Sequence, residues 1–389
     1  VSFNPADFAT KAIREVPPSA VRKLFDIAST LEDPVSLGIG EPDFVTPINI
    51  REAAWQSLQE GKTGYSSNIG IAPLREAIAT YLEKFDLHYA PESELIITAG
   101  ASQGLDLAFR TILEAGDEVI LPEPAFLSYR SCIALCGGVT VPVVTNMDTC
   151  FRVTADMIEA AITPKTKMLV LNFPSNPTGV VMEKEDLEAI AKVCVKHNIL
   201  VLSDEIYAEL TYSGKHFSIA SLPGMKERTI LISGVSKLFA MTGWRLGYIA
   251  APKELLKFFT KMQMFSVVCA STTSQWAAIE GFIHGQASID AMVSEYNTRR
   301  KFIVKAFRDM GLTICEPQGA FYAFPSIQST GLTSEEFSNR LLTEEQVITV
   351  PGNAFGPAGE GYLRCSYATS MENLEKAAER MDRFLRNLK

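Results

Sequence analysis

The chain has no Cys-x-x-Cys pair, no glycine-rich fingerprint of a dinucleotide or nucleoside-triphosphate loop, no tandem repeat and no low-complexity stretch. Its seven cysteines lie scattered at 132, 136, 150, 194, 269, 315 and 365. An odd, unpatterned set predicts reduced thiols in a cytosolic protein. Histidine is scarce, and positions 88, 197, 216 and 284 show no ligand spacing, so no metal centre is expected. Apolar runs such as 168–172 and 199–202 are strand-length, far short of the roughly 20 residues that cross a bilayer. The first ten residues hold Asp7 and lack a cationic start leading into an apolar stretch, so no secretory leader is expected. Positive charge is also in deficit: 36 Lys and Arg against 45 Asp and Glu give −9. Such a chain gains nothing from counterion release, which argues against nucleic acid as a partner. A cytoplasmic protein without nucleic-acid or membrane partners is predicted.

What is present is ordinary globular composition, 47% apolar and 21% charged, over 389 residues. That length allows two to three domains at about 150 residues each. Short apolar runs at 94–98, 118–121, 167–171, 199–202, 229–232 and 246–250 read as strands, and 103–113 and 184–197 as helices. Strands without polar alternation, separated by helical lengths, predict an α/β fold with a mostly parallel sheet covered on both faces. From about residue 288 the pattern changes. Helices near 294–310 and 334–342, a strand near 347–350 and a last helix from Met371 predict a smaller α+β unit. The expected division is an N-terminal segment 1–45 packing on the small unit and the site entrance, a large domain 46–288, and a small domain 289–389.

Four segments carry candidate chemistry, each just past an apolar run. Ile232-Ser-Gly-Val-Ser236-Lys237 places a lysine among small residues, with Arg245 eight positions on. Alone it could be a surface lysine. At a strand's carboxyl end, partly desolvated and near a second cation, its pKa falls and it becomes a nucleophile and general base. Asp204 ends the run 199–203 and is either a solvated cap or a partner for a cation, with Tyr207 three residues later. Asn172-Phe-Pro-Ser-Asn176-Pro-Thr-Gly179 is turn chemistry that also presents an amide. Thr98-Ala-Gly100-Ala101-Ser102 leads into a helix, whose first amides suit an anion.

Together and in this order, these segments resemble the fold-type-I pyridoxal-phosphate enzymes, specifically the class I/II aminotransferases of the archaeal and bacterial aromatic or aspartate branch. The likeness runs from Leu37-Gly-Ile39-Gly40-Glu-Pro-Asp-Phe44 to Arg364-Cys-Ser-Tyr-Ala368. It implies a seven-stranded large domain, pyridoxal 5'-phosphate as cofactor, and a homodimer with active sites at its interface. It implies that Lys237 carries the cofactor, that Asp204 faces the ring nitrogen, and that Tyr207 and Asn176 bond the ring's phenolic oxygen. Gly100, Ala101, Ser102, Ser236 and Arg245 would surround the phosphate, Phe126 would stack on the ring, and Tyr65 would reach the neighbouring subunit's phosphate. Arg364 would clamp the substrate carboxylate, helped by Asn176 and the Gly40 backbone, while Ile39, Tyr65 and Phe126 would meet the substrate side chain. Residues 17–21 and Phe321 would lie near the substrate side chain. Aspartate-preferring members often carry lysine where this chain has Ser102, so an aromatic donor with 2-oxoglutarate as acceptor is expected. Aspartate or alanine transamination, or a β-lyase on the same scaffold, is the alternative.

Overall fold

The computed structural model describes residues 3–16 and 31–388. A short strand β1 (Val35–Ser36) precedes a central sheet built from β2 (Leu95–Thr98), β3 (Glu118–Glu123), β4 (Val139–Val144), β5 (Thr166–Asn172), β6 (Leu200–Asp204), β7 (Thr229–Gly234) and β8 (Gly247–Ala250). Their spatial order is β2-β8-β7-β6-β5-β3-β4. The four pairs from β4 to β7 are parallel, while β8 runs antiparallel to both neighbours. The sheet is thus the mostly parallel, seven-stranded one expected.

Between their polar ends the strands other than β4 are apolar because both faces of the sheet are covered there. Ile96, Val119, Val170, Leu202 and Ile232 pack under helices Ala101–Ile112 and Lys253–Ser266. The alternate residues Leu95, Ile97 and Leu231 meet helices Ala72–Leu82 and Thr272–His284. Ile120, Leu169 and Val201 meet Lys184–Lys196. Each such side chain contributes about 1.5–3 kcal/mol of burial. β4 was not expected from sequence. It is an edge strand, half exposed, and holds Pro142, whose missing N–H an edge strand tolerates.

The C-terminal part holds β9 (Tyr322–Ala323), β10 (Val347–Ile348), β11 (Val350–Pro351) and β12 (Leu363–Ser366). The strand expected near 347–350 is two strands. β10 pairs in parallel with β1, and β11 pairs with β12. β1 therefore ties residues 35–36 to this C-terminal core. The long helix begins at Gln286, not near 294, and runs to Asp309. Its buried Ile289, Met292, Tyr296, Arg299, Ile303 and Phe307 follow helical spacing throughout. Arg299 is buried and donates through one nitrogen to both oxygens of Asp43, at 2.8 and 2.9 Å. That ion pair fixes the loop after β1.

The expectation of reduced thiols is corrected. Cys150 and Cys315 pair as a disulfide across 165 residues, while the other five cysteines are free. Spacing rules read only near neighbours, so this pair was invisible to them. Beside it, Phe151 packs edge-on against Phe324 and Tyr362. Among the described residues no helix is long and apolar enough to cross a membrane.

Candidate active site

The carboxyl ends of β2, β5, β6 and β7 open onto a cavity of about 630 Å³. Open α/β sheets place ligands at this position, where helix starts and strand ends converge. From the sheet side it receives Ala101, Ser102, Asn172, Asn176, Asp204 and Lys237. Ile39 and Gly40 come from the loop after β1, and Tyr322 and Arg364 from β9 and β12.

β7 ends at Gly234, and a single helical turn, Val235–Leu238, carries Lys237 into the cavity. Its Nζ donates to the Gly40 carbonyl at 2.5 Å. Burial lowers its pKa to about 8. The nearby Glu41 works against that shift, and Arg364 and Arg245 work with it. Asp204, the last residue of β6, is 4% exposed. Its Oδ2 accepts from the Tyr129 hydroxyl at 2.7 Å, and its Oδ1 from the Ile206 amide. Burial raises its carboxyl to about 6, with those two hydrogen bonds opposing. A carboxyl so placed is stabilised by a positive partner across the cavity.

Arg364 lies on β12, buried. One nitrogen donates to Asn176 Oδ1 at 3.1 Å and another to the Gly38 carbonyl at 2.6 Å. Its buried Nε has no hydrogen-bond partner among the described residues. The guanidinium lies 4.6 Å from the Tyr322 ring centroid and 4.9 Å from that of Phe355. Asn172 ties the cluster together, donating to the Asp204 carbonyl and accepting from the Asn176 amide, both at 3.0 Å.

Arg245 donates to the Thr242 carbonyl and reaches back over Gly100. A Cβ at Gly100 would run into that guanidinium, and its φ of +82° suits glycine. Gly100 caps helix Ala101–Ile112, whose first amides have no partner within the helix. Cation, bare backbone and free amides form a cradle for a phosphate.

The predicted residues among those described thus meet at one cavity, with three exceptions, Gly100, Tyr65 and Phe321. Gly100 acts from behind the cradle, and Tyr65 is 89% exposed and away from the cavity of its own chain. Phe126 lines the wall edge-on to Tyr129, and Ser236 lies beside Lys237. Phe321 is fully buried; its ring is 5.7 Å from Lys237 Nζ, but the next residue, Tyr322, lines the cavity. The segment 17–21 lies outside the described residues. Tyr129, Asn172, Glu41 and Tyr322 were missed. Asn172, the first polar residue after an apolar run, carried the same signal as Asp204. Lone aromatics in apolar surroundings read as core.

The residues present fit a phosphorylated, cationic heterocyclic aldehyde: an amine of lowered pKa, a buried acid opposite, a phosphate cradle and a carboxylate clamp. That set defines a pyridoxal-phosphate enzyme. A family model described as aminotransferase class I and II matches residues 32–381. The aspartate aminotransferase of Pyrococcus abyssi is 48% identical, over 96% of this chain and 97% of its own. The aromatic-amino-acid aminotransferase 2 of Thermococcus litoralis is 46% identical, over the same shares of 96% and 97%. The crystal structure of the aromatic aminotransferase from Pyrococcus horikoshii OT3 superposes with a TM-score of 0.90 at 46% identity, covering 94% of this chain and 100% of that one. The chain belongs to the class I and II aminotransferases, which depend on pyridoxal 5'-phosphate.

Burial sets Asp204 above its ordinary value of 3.8. Between that value and about 6 the folded protein binds more protons than the unfolded chain. The group's contribution to stability therefore falls as pH rises through this window and remains a cost above it. Cofactor-free Asp204→Asn should be more stable than cofactor-free wild type by about 1–3 kcal/mol at pH 8, with little difference near pH 4. Urea unfolding at both pH values checks this; equal stability at pH 8 would refute it.

Proposed function

We propose that the protein transfers the amino group of an aromatic L-amino acid to a 2-oxo acid, with 2-oxoglutarate the favoured acceptor. The observation that carries this reading is the placement of Lys237, Asp204 and Arg364 around one cavity. Lys237 would hold the cofactor, with Ser236 beside it. Asp204 would face the ring nitrogen, Tyr207 and Asn176 the phenolic oxygen, and Phe126 the ring face. Gly100, Ala101, Ser102 and Arg245 would enclose the phosphate. Arg364 would take the substrate α-carboxylate, with the amide of Asn176 and the backbone of Gly40 beside it and Ile39 toward the side chain.

Bound pyridoxal phosphate supplies a carbon that captures the amine and a ring that takes up electrons. The chain supplies the rest. Arg364 uses two guanidinium edges to fix the carboxylate, and so the direction of the Cα–H bond. Lys237, once released, takes the Cα proton and later returns one; an amine near pKa 8 is free often enough at neutral pH to do both. Asp204 keeps a positive charge at the ring nitrogen, which the same burial that raises its own pKa makes stronger.

Donor preference follows from the cations. Lys237, Arg245 and Arg364 are the only ones lining the cavity among the described residues, and each has a task. Ile39, Phe126 and Leu127 leave apolar wall for a side chain. The aspartate aminotransferases among the relatives make aspartate the competing donor. The reading also pairs two copies. Val45, Ile48, Trp55, Tyr65 and Phe265 are all more than half exposed. The loop at 64–68 bonds to residues 268 and 272, which sets Tyr65 near the end of the helix that carries Phe265. Covering it with a second copy would bring Tyr65 of the partner subunit to the phosphate cradle. In this reading 46–288 is the cofactor-binding domain, 289–389 the small domain, and 1–45 a segment that packs on the small domain and the site entrance.

Four measurements test the reading. Purified protein mixed with pyridoxal phosphate should gain a visible band that phenylalanine shifts toward the ultraviolet. Lys237→Ala should keep the fold and lose turnover by at least about 10⁴-fold; near-normal turnover would end the assignment. On a panel of donors, phenylalanine or tyrosine should exceed aspartate in kcat/KM, and Ser102→Lys should raise aspartate relative to phenylalanine by about tenfold. An unchanged ratio would show that this position does not select. Trp55→Glu should yield monomers by sedimentation and weaken cofactor retention; a variant still dimeric would place the interface elsewhere.

A further inference from the structure

Tyr322 touches three parts of the site at once. It lies on β9, where its register partner is Ser366, two residues from Arg364 on the same face of β12. Side chains at i and j±2 across an antiparallel pair reach one another. The Arg364 guanidinium accordingly lies over the face of the Tyr322 ring, 4.6 Å from its centroid. The Tyr322 hydroxyl is 2.8 Å from the Tyr207 hydroxyl. It also abuts the bare Cα of Gly40, where any Cβ would collide with it, and the Gly40 carbonyl receives Lys237 Nζ. Tyr322 is 1% exposed.

We propose that Tyr322 is a positioning residue that couples the Arg364 carboxylate clamp to the cofactor ring through Tyr207. The inference rests on the reading above, in which Tyr207 bonds the ring's phenolic oxygen and Arg364 holds a carboxylate. A phenol has one proton. If Tyr207 gives its proton to the ring oxygen, the proton shared by the two hydroxyls comes from Tyr322. A hydroxyl that accepts a hydrogen bond is a better donor in turn, so Tyr322 strengthens what Tyr207 does. A guanidinium over the ring favours negative charge on the Tyr322 oxygen and so sharpens it as a donor. Burial raises the Tyr322 phenol, and Arg364 opposes that rise. One side chain thus sets the strength of the bond at the ring oxygen and fixes the face on which the clamp rests.

The test uses the cofactor-loaded enzyme. Tyr322→Phe keeps the ring and removes only the hydroxyl. A weaker Tyr207 donor leaves more negative charge on the ring oxygen, which holds the proton on the neighbouring Lys237 nitrogen more firmly. The midpoint of the visible-band pH titration should therefore move up by about 0.3–1 unit. In a Tyr207→Phe background the same change should add less than about a third of that shift. Binding of 3-phenylpropionate, which has the carboxylate but no amine, should stay within about twofold in Tyr322→Phe and weaken by about 5–30-fold in Tyr322→Leu, which lacks the ring face. A midpoint unmoved in Tyr322→Phe, an equal shift with and without Tyr207, or undiminished binding in Tyr322→Leu would overturn the proposal. A wild-type protein with no visible band would instead end the reading on which it rests.

Discussion

Asp204 stands where β6, apolar on both faces, reaches the cavity, and its burial is what the rest of the site is arranged around. A carboxylate held away from water is stabilised only by specific partners. The chain provides Tyr129 from the helix after β3 and the Ile206 amide from its own turn. Asn172 at the end of β5 holds the neighbouring carbonyl. These bonds offset the desolvation without cancelling it, since the carboxyl remains raised to about 6. The remaining imbalance favours a cation in front of it. Lys237 shows the complementary case, an amine brought down to about 8 by the same loss of water. Two groups whose pKa values burial moves toward neutrality, facing one cavity, are suited to proton transfer near pH 7.

The sheet alone does not complete this site. Arg364 comes from β12, the Gly38 and Gly40 carbonyls from the loop after β1, and Asn176 from the turn after β5. The pairing of β1 with β10 and the Asp43–Arg299 ion pair hold that loop against the C-terminal core. Arg299 is buried while Asp43 stays partly open to water, and Glu295 also bonds the guanidinium, so the pair acts mainly to orient the loop. The loop's position is thus a property of packing rather than of its own sequence.

How much of this was legible follows from where the information sits. Strand ends could be read because an apolar run stopping at a polar residue marks both the sheet and its rim: Asp204, Asn176 and Lys237 were found this way. The covered, mostly parallel sheet followed from the absence of alternation. β4 was hidden by Pro142 and by exposure that blurs its pattern. The start of the long helix at Gln286 was hidden because its polar first turn carries few core residues. Tyr129 and Tyr322 look like core aromatics until a hydroxyl is seen 2.7 Å from a carboxylate or 2.8 Å from a second phenol. The Cys150–Cys315 pair is a fact of three dimensions that no local spacing encodes.

Arg364 reaches across most of the chain's length: its hydrogen-bond acceptors belong to residues 38 and 176, both translated long before it. During synthesis the central sheet can therefore assemble, cover its faces and present Lys237 and Asp204 while the clamp does not yet exist. Contacts of such large sequence separation form late, after the local ones have restricted the chain. The guanidinium that lies between Gly38 and Asn176 is thus the last piece of the cavity wall to be made, whatever the sheet has already put in place.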